Sequence, residues 1–121
     1  MSKITTHILD TTKGRPAEGI TIILYGGENN AHMNEETGHE WTELARGKTS
    51  ADGRITDLPD NDGLLHFGIY KMRFETKDYF DKDRVKTFYP YIEIIFEIEA
   101  GQHYHIPLLL NPFGYSTYRG S

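Results

Sequence analysis

At 121 residues, 37% of them hydrophobic and 26% charged, the chain is sized for one domain with a real core and is too short for two. A net charge of −5 argues against nucleic acid as a partner, because neutralising phosphates needs a basic face. The absence of cysteine excludes disulfides, thiolate nucleophiles and sulfur-ligated metals.

No apolar run reaches the length that spans a bilayer, and the longest, Ile106 to Leu110, is interrupted by Pro107. The opening Met-Ser-Lys-Ile-Thr-Thr-His-Ile lacks a basic-then-apolar leader. The expectation is a cytoplasmic protein, with no membrane partner, whose residues 1–121 form a single domain.

In chain order, Ile4 to Asp10 reads as a strand, with Thr6 and Ile8 on one face and Thr5, His7 and Leu9 on the other. Asp10 to Gly19 is a turn-rich connection. Ile20 to Tyr25 is apolar and β-branched, a second strand. The polar stretch Gly26 to Gly38 reads as a loop, and Glu40 to Thr49 as a third strand. Ala51-Asp52-Gly53 is a tight turn leading to a fourth strand, Arg54 to Leu58. Phe67 to Glu75 alternates Tyr70, Met72 and Phe74 with Lys71, Arg73 and Glu75, the pattern of a half-buried strand.

Thr76 to Arg84 suits a short helix with Tyr79 and Phe80 packed down. Tyr91 to Glu99 sets Ile92, Ile94, Phe96 and Ile98 against Glu93, Glu97 and Glu99, with Ile95 an exception on the polar face. Two further strands, 103–110 and 115–118, bring the expectation to eight strands and one helix, an all-β sandwich or barrel.

In 103–110 the core face is Tyr104, Ile106, Leu108 and Leu110, so His103, His105, Pro107 and Leu109 point outward. If Ile8 is buried, His7 and Leu9 point outward as well. Apolar groups clustered on an outer face mark an interface or a groove. The face is expected to be covered by a second copy of the chain, with the histidines in the crevice.

Three readings compete for those histidines. His103, His105 and His7 could hold zinc, since i and i+2 share a strand face, but no carboxylate support for such a site is evident. They could act as acid and base, because imidazole titrates near working pH without elaborate tuning. They could line a groove that binds a small molecule unchanged. His32, His39 and His66 lie in or beside polar loops and read as ordinary surface residues. The Glu93/Glu97/Glu99 stripe reads as a solvated face, and no Gly-x-Ser-x-Gly elbow supports serine hydrolase chemistry.

Three separated motifs carry a resemblance. Thr5-Thr6-His7-Ile8-Leu9-Asp10, Thr49-Ser50-Ala51-Asp52-Gly53-Arg54, and His105 to Leu110 continuing to Tyr118-Arg119-Gly120-Ser121 resemble the 5-hydroxyisourate hydrolases, the transthyretin-like enzymes of purine breakdown. Phe88-Tyr89-Pro90-Tyr91 resembles the family too. The related hormone carrier shares the fold but lacks the histidines and the closing tetrapeptide.

The resemblance implies an eight-stranded two-sheet sandwich with one short helix. It implies a homotetramer, a dimer of dimers, with sites between the dimers. It also implies hydrolytic ring opening of a small purine-derived substrate without metal or organic cofactor. Residue by residue it carries over His7, Arg54 and His105 as the catalytic set. Tyr118, Arg119 and Ser121 complete the pocket, with His103 at its margin. The Gly26–Gly38 loop is longer and more acidic than the resemblance leads one to expect.

Overall fold

Alternation along each strand decides which side chains the sheets bury. The computed structural model describes residues 3–27, 41–58, 68–99 and 103–120. In β1 (Lys3–Asp10), Ile4, Thr6, Ile8 and Asp10 are buried while Thr5, His7 and Leu9 are half-buried, the period of two that a pleated strand imposes. The other elements are β2 (Arg15–Pro16), β3 (Thr21–Gly27), β4 (Trp41–Lys48), β5 (Arg54–Leu58), β6 (Gly68–Phe74), α1 (Thr76–Lys82), β7 (Ile92–Ile98), β8 (His103–Asn111) and β9 (Gly114–Thr117).

Of the nine strands among the described residues, the one beyond the expected eight is β2. It lies within the stretch read as a turn-rich connection, where Pro16 pairs with Leu9 and Arg15 with Asp10. The Asp10 carboxylate causes this reversal by accepting the backbone N–H groups of Thr12 and Lys13. Gly14, at φ 68°, then donates its N–H to the Asp10 carbonyl and closes the turn. Gly26 and Gly27, expected in a loop, instead extend β3; residues 28–38 of that expected loop lie outside the described residues.

Two sheets result. One has the order β2-β1-β8-β9, with β5 also paired to β1; the other has the order β4-β3-β6-β7. β1 and β8 run parallel and stay in register from Lys3 opposite His103 to Asp10 opposite Leu110. Between the sheets, Ile4, Ile8, Leu108 and Leu110 meet Ile22, Leu24, Met72, Phe74, Ile92 and Ile98. Each such buried side chain contributes about 1.5–3 kcal/mol relative to exposure.

The helix forms where expected, with Tyr79 and Phe80 buried. The Tyr79 hydroxyl donates to the buried Asp10 carboxylate at 2.7 Å, and burial together with that carboxylate pushes the phenol well above its usual range. The outer face of the four-stranded sheet carries ion pairs from Glu93 to Lys71 at 3.2 Å and to Arg73 at 3.6 Å, so Glu93 serves a charged, solvated face.

Candidate active site

The site begins with a turn. In Thr49 to Arg54, Gly53 adopts φ 75° and donates its N–H to the Ser50 carbonyl. Its own carbonyl accepts the Ile8 N–H at 2.8 Å, which ties the turn to β1. A Cβ at position 53 would stand 2.5 Å from the Ile8 carbonyl oxygen, so only glycine fits. The Asp52 carboxylate accepts the Ser50 hydroxyl and the Arg54 N–H, which fixes the first residue of β5.

From there the β1–β5 register decides where Arg54 points. Ile4 pairs with Leu58, but Thr6 pairs with Ile55 and His7 with Arg54. Three steps on β5 thus match two on β1, so β5 carries one extra residue, a bulge. Without it, the alternation from buried Leu58 would turn Arg54 toward the core. With it, Ile55 packs against the core and Arg54 stands directly across from His7 on the outer face.

His105 reaches the same face from β8. Its parallel partner is Thr5, two residues before His7. Neighbouring strands lie about 4.8 Å apart and same-face neighbours about 7 Å apart, so Arg54, His7, Thr5 and His105 form one patch across β5, β1 and β8. The Thr5 hydroxyl lies 2.8 Å from Nδ1 of His105 and 3.3 Å from Nε2 of His103. Thr5 carries no site role in the sequence reading, although its parity with His7 is visible there.

Burial is the main reason that both central imidazoles hold their proton less tightly than a free histidine. For His7 the Arg54 charge lowers the pKa further, against a smaller opposing pull from the backbone and carboxylate of Asp52. For His105 the Arg54 charge again comes second, followed by His7 and His103. At neutral pH both rings are therefore neutral and able to accept a proton.

The tail folds back over this patch. Gly120 donates its N–H to the His105 carbonyl at 2.8 Å, and a Cβ there would lie 2.6 Å from Cδ2 of the imidazole. Arg119 goes elsewhere: its guanidinium carbon sits 4.7 Å from the centroid of the Tyr104 ring, on the core-facing side of β8. Tyr118 and Arg119 line a groove of about 250 Å³ with Phe96, Tyr104 and Ile106. Within one chain, Gly120 touches His105. Ser121 lies outside the described residues, as do His32, His39 and His66.

A roomier hollow of about 400 Å³ lies between the β1–β2 turn and α1, lined by Lys13, Arg15, Glu18, Tyr79, Lys82 and Asp83. It holds the Lys13–Asp83 ion pair and none of the site histidines. Among the described residues, no three His, Asp or Glu side chains gather as a metal would require.

The family model described as HIUase/Transthyretin matches residues 4–120. A probable 5-hydroxyisourate hydrolase of Schizosaccharomyces pombe is 45% identical over 98% of this chain and 90% of its own. The structure of Klebsiella pneumoniae 5-hydroxyisourate hydrolase superposes with a TM-score of 0.81 at 36% identity, covering 100% of both chains. Transthyretin from Sparus aurata superposes equally well, at 0.81, with 29% identity over 97% of this chain and 95% of its own. The fold alone thus does not separate hydrolase from transthyretin.

Proposed function

The chain belongs to the HIUase/transthyretin family, and on that premise we propose that the β5–β1–β8 face is the active site of a 5-hydroxyisourate hydrolase. It is a hydrolase of urate degradation, opening a ring of 5-hydroxyisourate to give 2-oxo-4-hydroxy-4-carboxy-5-ureidoimidazoline. The observation that carries the site assignment is the convergence of His7, Arg54 and His105 on one outer face, with both imidazoles neutral.

One of His7 and His105 takes a proton from water as its oxygen attacks the ring carbonyl carbon. The C–N bond then breaks, and the departing nitrogen receives the proton taken from water, given back by the imidazolium so formed directly or relayed through the other histidine. Negative charge develops on the carbonyl oxygen during attack. The planar donor fork of Arg54 is suited to stabilise it. Tyr118, Arg119 and Ser121 are assigned to the tail side of the pocket, with His103 at its margin. The stacking of Arg119 on Tyr104 supports a tail held in place, which contributes by positioning. This chemistry needs no metal or organic cofactor.

The assembly we propose is a homotetramer, a dimer of dimers, in the cytoplasm, each chain contributing residues 1–121 as one domain. Its support is the outward Leu9–Leu109 pair beside the histidines and the exposed Ile95 and Tyr115 on the terminal strands β7 and β9.

The decisive experiment follows the absorbance of freshly generated 5-hydroxyisourate. The expected result is rapid loss with wild-type protein and a rate lower by about 10²–10⁴-fold in His105→Ala. An unchanged rate in His105→Ala overturns the site assignment. Retention of the molecule without turnover supports a carrier instead.

A further inference from the structure

Thr5 has a geometry that no role above uses. Its hydroxyl sits between two imidazoles, 2.8 Å from Nδ1 of His105 and 3.3 Å from Nε2 of His103. A hydroxyl has one hydrogen, so it donates to one of these nitrogens and accepts from the other. A neutral imidazole likewise carries hydrogen on only one nitrogen. With all three groups neutral, only two arrangements satisfy both bonds.

In the first, His105 donates from Nδ1 to Thr5, and Thr5 donates to a bare Nε2 of His103. The far nitrogen of His105, Nε2, then presents a lone pair. In the second, His103 donates from Nε2 to Thr5, Thr5 donates to Nδ1 of His105, and Nε2 of His105 carries the hydrogen. The hydroxyl thus couples the proton arrangement of the exposed His103 to that of the half-buried His105.

We propose that Thr5 is a positioning residue which, with His103, sets the tautomer of His105 and so decides whether its Nε2 acts as base or as acid. This rests on the reading of His105 as a proton-exchanging group. Gly120 supports it independently. A Cβ there would meet Cδ2 at 2.6 Å and Cγ at 3.3 Å, and its N–H holds the His105 carbonyl. The ring is therefore fixed at Nδ1 by Thr5 and along Cγ–Cδ2 by the tail, which leaves Nε2 as the nitrogen free for chemistry. Parallel pairing makes the arrangement possible, since Thr5 lies beside His105 and Lys3 beside His103.

Thr5→Val keeps the side-chain shape and deletes the hydroxyl, whereas Thr5→Ser keeps the hydroxyl. Two readouts decide the matter. In the absence of substrate, ring ¹⁵N shifts of His105 should report the same tautomer balance in wild type and in Thr5→Ser, and a shifted balance in Thr5→Val. With 5-hydroxyisourate, Thr5→Val should lose about 10- to 100-fold in kcat with KM changed less than about twofold, and Thr5→Ser should recover most of it.

An unchanged His105 tautomer in Thr5→Val, or a kcat loss that serine does not rescue, overturns the proposal. Should Thr5→Val fail to fold, His103→Leu tests the same coupling, and an unaltered His105 tautomer there also overturns it. The ring measurement needs no substrate, so a failure of the hydrolase reading would show separately, as absent turnover in wild type.

Discussion

His7 and His105 are held neutral chiefly by burial, with the Arg54 charge acting in the same direction, and this has two consequences with definite signs. Their folded pKa values lie below the ordinary 6.5, so the unfolded chain binds more protons in the interval beneath it. Stability from these two groups is complete above pH 6.5 and declines as pH falls through their folded pKa values. Urea unfolding at pH 5 and pH 7 should show wild type losing stability at the lower pH, and the His7→Gln/His105→Gln pair should narrow that difference. Activity should obey the same order: the acid limb of kcat/KM is expected below pH 6.5, and an acid limb above 6.5 would remove the histidine base from the mechanism.

The elements explain why some of the site was legible in the sequence and some was not. Strand parity alone places His7 and His105 on an outer face: β1 alternates from buried Ile8, and β8 alternates from buried Leu108 except at Pro107, an outward residue that is buried where the tail residue Gly120 lies beside it. Arg54 is legible only through a motif resemblance, since parity counted back from Leu58 points it inward. The bulge in β5 reverses that direction, and a bulge depends on pairing with β1, which no local pattern in Arg54 to Leu58 displays. The place of Thr5 beside His105 is not legible in the sequence, because a threonine on a strand face has no signature until its parallel neighbour is known. The short β2 is not legible for a related reason, as its two residues become a strand only through the Asp10 turn. Gly53 offers the test at this scale. With φ 75° and a Cβ position 2.5 Å from the Ile8 oxygen, Gly53→Ala should lower stability by about 1–3 kcal/mol. It should also reduce kcat by displacing Arg54, and Gly14→Ala, at a similar φ with open space around it, should leave kcat unchanged. Equal effects of the two on kcat would show that strain, and not the placement of Arg54, governs activity.

At the scale of the molecule, the candidate site lies on a sheet face, which the proposed assembly would enclose. Leu9 and Leu109 sit side by side on that face. Leu109→Glu should therefore dissociate the tetramer in sedimentation experiments and reduce turnover, while circular dichroism retains the β signal. A tetramer that survives the change would place the interface elsewhere. The parallel pairing of β1 with β8 also bears on biosynthesis. Each site draws its histidines from strands separated by about a hundred positions, Thr5 and His105 being register partners. At roughly 5–20 residues per second, a ribosome that has released β1 takes about 5–20 s to supply its neighbour. Throughout that interval one edge of β1 has no permanent partner, a state open to mispairing with other chains. Late, non-local closure of this kind puts folding in the millisecond-to-second range. Pulsed hydrogen exchange during refolding should find the β1 and β8 amides becoming protected together, after those of β3 and β6; early protection of β1 alone would contradict this order.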